Sequence, residues 1–176
     1  IAGVNHVLIE WVIILGMVLG GTSFIVHYRL LTGRGRSLVE TSEMRLWWIL
    51  IAVLAGLVLL DHSMQPGTGE LSGSSIRTSL FQTVSVLTTT GFSTQDIGTP
   101  FFGAFSRQLF LLMMVIGGCV GSTSGGVKVQ RVVILFKMAK QQIRKMMIPR
   151  RAVNSVIVDG VFLDESEANR VSSIFF

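Results

Sequence analysis

The segment Thr88-Thr89-Thr90-Gly91-Phe92-Ser93-Thr94 is poor helix material, β-branched and interrupted by glycine. Its chemistry lies in the backbone. A dehydrated cation must regain its coordination from oxygens, and the carbonyls of an extended loop supply them without net charge. Gly91 lets such a loop adopt the angles that turn successive carbonyls toward an axis, with Phe92 expected to wedge behind it. The plain alternative is an external loop with an ordinary turn glycine.

A second locus follows at Gly117-Gly118-Cys119-Val120-Gly121-Ser122-Thr123-Ser124-Gly125-Gly126, five glycines in ten residues. Each glycine disfavours helix by ~1 kcal/mol against alanine, so the chain must break there. The flanking stretch from Phe101 to Met138 is largely apolar and, as one helix, would run roughly 57 Å against a hydrocarbon core of ~30 Å. Irregular backbone at membrane depth survives only where protein or a water-filled cavity satisfies it. Ser122, Thr123 and Ser124 can offer oxygens to an ion, cap the broken helix ends, or do both.

The elements that must position these loops are apolar. The chain is 49% hydrophobic and 14% charged, with mean hydropathy +0.62, where a soluble domain carries about a quarter charged residues. A first span is predicted at Val7–Val26, with Gly16, Gly20 and Gly21 allowing close helix contact. A second runs over 44–60, opened by a Trp47–Trp48 pair expected at a membrane interface. Residues 74–87 read as a helix too short to span. Asp159-Gly160 suggests a turn, around which Val156 to Leu163 either pair as short strands or lead into another helix.

Charge sets the topology. Arg29, Arg34, Arg36 and Arg45 fill the linker after the first span, and Lys128, Arg131, Lys137, Lys140, Arg144, Lys145, Arg150 and Arg151 follow the broken helix. The 61–100 region holds Arg77 alone. Both basic segments are therefore expected on the cytoplasmic side and the 61–100 excursion outside. The net charge of +5 is explained by this flanking, so no nucleic-acid partner is expected. Lys128 and Arg131 read either as tuning the cytoplasmic mouth or as ordinary anchors. Glu10 is expected at the interface, with Arg107 as its candidate partner. Cys119 reads as a packing residue, the three histidines have no ligand spacing, and no triad supports an enzyme. Both ends of the chain look cut, which points to a piece of a longer protein.

The two motifs, about 25 residues apart and continuing through Val127-Lys128-Val129-Gln130-Arg131, resemble the third repeat of the Trk/Ktr/HKT superfamily of potassium uptake proteins. The resemblance is strong over about 44–150. It implies an all-α integral membrane fold of potassium-channel type, with span–pore helix–filter loop–span repeats and a broken second span. The division implied is 1–27, the last span of the preceding repeat; 28–43, a cytoplasmic linker; 44–138, the pore repeat; and 139–176, a cytoplasmic segment and the lead into the next repeat. Within the pore repeat it implies a span 44–60, pore helix 74–87, filter 88–94 and broken span 101–138 with intramembrane loop 117–126. The filter residues carried over are Thr89, Thr90, Gly91 and Phe92, with potassium at their backbone carbonyls. The gate residues are Gly117, Gly118, Gly121, Ser122, Thr123, Ser124, Gly125 and Gly126. No cofactor is expected on this chain beyond potassium as the transported ion. The resemblance further implies a multi-pass protein of the cell (inner) membrane, a homodimer of the full-length subunit, and a cytoplasmic nucleotide-binding regulatory ring. The filter loops of the other three repeats, and a basic residue of the last span of repeat four, have no counterpart here. The competing reading is a secondary transporter with a discontinuous helix binding substrate at the midplane. A membrane anchor with packing glycines is a third.

Overall fold

The structure is a computed structural model that describes residues 6–65, 72–147, 156–158 and 161–163. The basic pair Arg150–Arg151, the Asp159-Gly160 turn and most of the expected lead into a next repeat lie outside the described residues.

Helix α1 spans His6–Gly21 and α2 spans Phe24–Leu31, and the two meet at 106°. The predicted straight span Val7–Val26 is therefore corrected to a helix that ends at Gly21. Two glycines followed by Thr22 and Ser23 weaken the turn, and Ser23 adopts an extended ψ of 135° that starts α2 afresh. The linker expected over 28–43 is largely helical, holding the second half of α2 and a short α3 at Ser37–Glu40.

Helix α4, Ser42–Ser63, opens with Thr41, whose side chain accepts from the Met44 N–H at 3.3 Å. Among the described residues it is the one single helix long and apolar enough to cross a membrane, and the bent α1–α2 pair is the second candidate. Helix α5, Gly73–Leu87, covers the stretch read as a short helix. It packs between α4 and α1 and also touches α6. Every residue from Phe81 to Leu87 is buried, although Gln82, Thr83 and Ser85 are polar.

The chain resumes helix at α6, Ala104–Met113, leaves it over 114–128, and finishes in α7, Val129–Met147. The all-helical expectation is modified by a small antiparallel hairpin, in which β1, Val156–Val158, pairs with β2, Val161–Leu163.

Three expectations about α1 and α4 are corrected by packing. Trp47 is fully buried, set against Gly21, where an added Cβ would come within 2.8 Å of the indole. It is a core residue, while Trp48 donates its indole N–H to the Leu38 carbonyl at 2.9 Å. Gly21 and Gly20 serve close approach, but Gly16 has nothing within 4 Å. Glu10 pairs with Arg77 on α5, not with Arg107. The Arg107 guanidinium instead donates to the carbonyls of Phe102, Gly98 and Thr99.

The end of α4 anchors the starts of α5 and α6. His62 is buried and stacked on Phe101 at 3.9 Å, with Nδ1 3.3 Å from the Phe101 carbonyl and Nε2 3.2 Å from Ser75 Oγ. Asp61 Oδ2 accepts from the Ser106 N–H at 3.0 Å and from its hydroxyl at 2.5 Å. Its carboxylate thus caps the N-terminus of α6, where negative charge is favoured. Gly103 must be glycine for this approach, because a Cβ there would lie 2.0 Å from Gln65 Nε2 and 2.5 Å from Asp61. Asp61→Ala would leave the buried Ser106 donors without this acceptor, at about 1–3 kcal/mol. Thermal melting of the full-length protein in detergent should show a clearly lowered Tm. Glu40→Ala, at an exposed position, should leave Tm nearly unmoved.

Candidate functional site

The loop after α5 departs from helix by alternating its backbone hand. Thr88 has φ −84°, Thr89 +54°, and Gly91 +78°; Thr89 is the one described residue other than glycine with positive φ. A β-branched residue held there is strained. Three contacts fold the loop back on the helix end. The Thr90 N–H donates to the Ser85 carbonyl at 3.0 Å, Ser85 Oγ donates to the Phe92 carbonyl at 2.6 Å, and the hydroxyls of Thr88 and Thr90 pair at 2.7 Å. Among the described residues, none donates to the carbonyl oxygens of Thr89, Thr90 or Gly91. The Phe92 carbonyl, in contrast, is turned onto Ser85. The Phe92 ring is 55% exposed, so within this chain it does not wedge behind the loop as expected.

The glycine-rich segment is a docked element with its own bonding. A parallel bridge between Ile116 and Val127 closes its base, with the Gly117 N–H on the Val127 carbonyl at 2.8 Å. Its outer part exchanges hydrogen bonds with the break between α1 and α2. In a continuous helix the Gly20 carbonyl would accept from the Phe24 N–H. Here Phe24 donates to Gly121 at 3.0 Å, and the Gly20 carbonyl accepts from the Thr123 N–H at 3.2 Å and its hydroxyl at 3.0 Å. The Gly21 carbonyl accepts from Cys119 at 2.9 Å. Each broken helix thus satisfies the orphaned groups of the other.

Two glycines are required by contact and two by backbone angle. A Cβ at Gly117 would lie 1.7 Å from the Gly125 carbonyl oxygen, and one at Gly118 2.6 Å from the Gly21 oxygen. Gly121 and Gly126 hold φ of +71° and +69°. Of Ser122, Thr123 and Ser124, Thr123 closes a helix end, that of α1, and the two serines do not. Thr123 binds Gly20, while the buried hydroxyls of Ser122 and Ser124 have no hydrogen-bond partner among the described residues and flank Gly118. Lys128 folds into the segment, its ammonium on the Ser124 carbonyl. Cys119 is fully buried, its sulfur 3.8 Å from Met44 Sδ.

The two loops meet. The Gly125 N–H donates to Thr89 Oγ1 at 2.7 Å, and a hollow of about 300 Å³ lies between them and α1, lined by Gly16, Gly20, Thr88, Thr90, Phe92 and Thr123. Three residues hold the loops without having been singled out for that role in the sequence: Ser85, which binds the Phe92 carbonyl, and Gly20 and Gly21, whose carbonyls accept from Thr123 and Cys119. Only the Gly20-Gly21-Thr22-Ser23 run carries a local signal, as a helix breaker.

A family model described as TrkH, cation transport protein, matches residues 1–176. The chain belongs to this TrkH family. Its relatives include the Trk system potassium uptake protein TrkH of Salmonella typhimurium, 30% identical over 171 residues, covering 95% of this chain and 34% of the relative. The Trk system potassium uptake protein TrkG of Escherichia coli is 33% identical over 173 residues, covering 98% of this chain and 35% of TrkG. An uncharacterised cation transporter of Methanocaldococcus jannaschii is 29% identical over 161 residues, covering 91% of this chain and 31% of that protein. The crystal structure of the potassium transporter TrkH from Vibrio parahaemolyticus superposes with a TM-score of 0.86 at 25% identity, over 98% of this chain and 37% of that one. The chain spans about a third of the length of these family members.

Proposed function

We propose that the full-length protein carries potassium across the cell (inner) membrane, and that this chain supplies one quarter of its selectivity filter together with the gate beneath it. The observation that carries the reading is the backbone of 88–91, where φ alternates in sign and the Thr89, Thr90 and Gly91 carbonyls are left without donors among the described residues. Alternation of hand turns successive carbonyls toward one side, which is what coordination of a desolvated cation needs. The relatives named potassium uptake proteins supply the choice of ion.

In this reading α4, α5 and the 88–94 loop form the span, pore helix and filter of one repeat, and α6 and α7 are the halves of its broken second span. Thr89, Thr90 and Gly91 face the ion path, and Phe92 contributes its ring to the cavity below. The loop of Gly117, Gly118, Gly121, Ser122, Thr123, Ser124, Gly125 and Gly126 closes that path. Helix α2 and α7 lie toward the cytoplasm, following their basic residues. The other three filter loops come from other parts of the full-length chain, which works as a homodimer under a cytoplasmic nucleotide-binding ring. The pore helix is stiffened by the Glu10–Arg77 ion pair to α1, partly shielded at 22% and 18% side-chain exposure.

Purified full-length protein in potassium-loaded liposomes tests the reading. Potassium flux should exceed that of empty vesicles and outcompete sodium. Vesicles that stay tight to potassium, or that pass an organic substrate by exchange, would overturn it in favour of a secondary transporter.

A further inference from the structure

The glycine-rich loop is held mostly by backbone groups, but one contact comes from an ionisable side chain on a different helix. Glu43, in the first turn of α4, accepts the Val120 N–H on Oε1 at 2.6 Å. This grip lies at the tip of the loop, away from the Ile116–Val127 bridge that closes its base. Next to Glu43, the Ser42 hydroxyl lies 3.5 Å from the ammonium of Lys137 on α7. The first turn of α4 therefore touches both the loop and the helix that leads away from it.

We propose that Glu43 is a positioning residue that holds the loop closed, and that its release from Val120 accompanies opening. The inference rests on the reading of 117–126 as a gate. An N–H bonded to a carboxylate is stronger than one bonded to a neutral oxygen, so charge at this position biases the loop toward its docked arrangement. Motion of α7 reaches the same turn through Lys137 and Ser42, so a pull on α7 is felt where the loop is gripped. The α1 contacts at Gly20 and Gly21 keep the loop's register while the carboxylate sets how firmly its tip is held.

The test uses full-length protein in liposomes, with potassium flux measured in the absence of any regulatory partner. Glu43→Ala should raise basal flux roughly tenfold, since loss of a charge-assisted hydrogen bond shifts a two-state equilibrium by about that factor or more. Glu43→Gln keeps an acceptor oxygen without the charge and should fall between the parent and Glu43→Ala. The potassium-to-sodium ratio should stay parental in both. A purely structural role would lower flux in both variants and give no graded rise. If Glu43→Ala fails to fold, the pair Glu43→Cys and Val120→Cys decides, bridged by a short bis-methanethiosulfonate that forms a disulfide to each cysteine with loss of methanesulfinate and is released by a reductant. Bridging should stop flux and reduction should restore it, whereas a bridged protein conducting at its reduced rate overturns the proposal. Folded Glu43→Ala with parental flux and regulation also overturns it, while leaving the transport reading intact. A parent protein that carries no potassium removes that reading first.

Discussion

Gly91→Ala and Gly91→Ser in the full-length protein should lower the potassium-to-sodium flux ratio about tenfold or more, with Thr94→Ala and Gln95→Ala close to parental. Gly91 holds φ +78°, which disfavours any L side chain by about 1–2 kcal/mol. Among the described residues nothing lies within 4 Å of a Cβ placed there, so crowding by them plays no part. The damage comes from the backbone leaving its left-handed angle, which turns the Thr90 and Gly91 carbonyls away from the ion, and from a methyl group projecting into the path. Sodium and potassium uptake by liposomes, backed by growth of a potassium-uptake-deficient strain, gives the measurement. Parental selectivity in both Gly91 variants would remove the filter assignment.

The largest steric effect is expected at Gly117→Ala. The added Cβ would sit 1.7 Å from the Gly125 carbonyl oxygen and 3.2 Å from the Gly126 carbonyl carbon, both backbone atoms with no rotamer to relieve the overlap. The Gly117 N–H bond to Val127, which closes the base of the loop, cannot keep its geometry. If the loop occludes the path, the variant should conduct faster than the parent and lose its dependence on the regulatory partner, while the selectivity set at Gly91 persists. Deleting several residues between Gly118 and Gly125 should act in the same direction. Gly56→Ala, where a Cβ meets nothing within 4 Å, is the control and should be neutral. A folded, dimeric Gly117→Ala protein with parental flux and intact regulation would show that the loop is not the barrier.

The mutual docking at the loop bears on how such a gate holds its state. A break in a helix leaves peptide groups without helical partners. Instead Gly117, Cys119, Thr123 and Gly125 all donate to defined acceptors, and the loop receives the Phe24 N–H in return. A segment bonded this way has one definite arrangement, so if it gates as proposed, opening exchanges one bonded set for another, a discrete switch rather than gradual slackening.

The sequence by itself determined what depends on composition over a short window. The apolar run of α4, the short helix α5, the threonine-glycine turn after it and the glycine content that breaks α6 from α7 are all local properties, and each is present at the expected place in the chain. The tertiary structure alone decided the rest, because the deciding groups are far apart in the chain. Trp47 is equally apolar at an interface or in a core, and only the bare Cα of Gly21 across the helix crossing makes it a core residue. Arg107 was the candidate partner for Glu10 in the sequence, and the packing of α1 on α5 brings Arg77 to it instead. The end of α1 at Gly21 depends on donors from Cys119 and Thr123, about a hundred positions later. A helix break is a weak local preference until something accepts and donates at its orphaned peptide groups, and that something is defined only once the chain has folded.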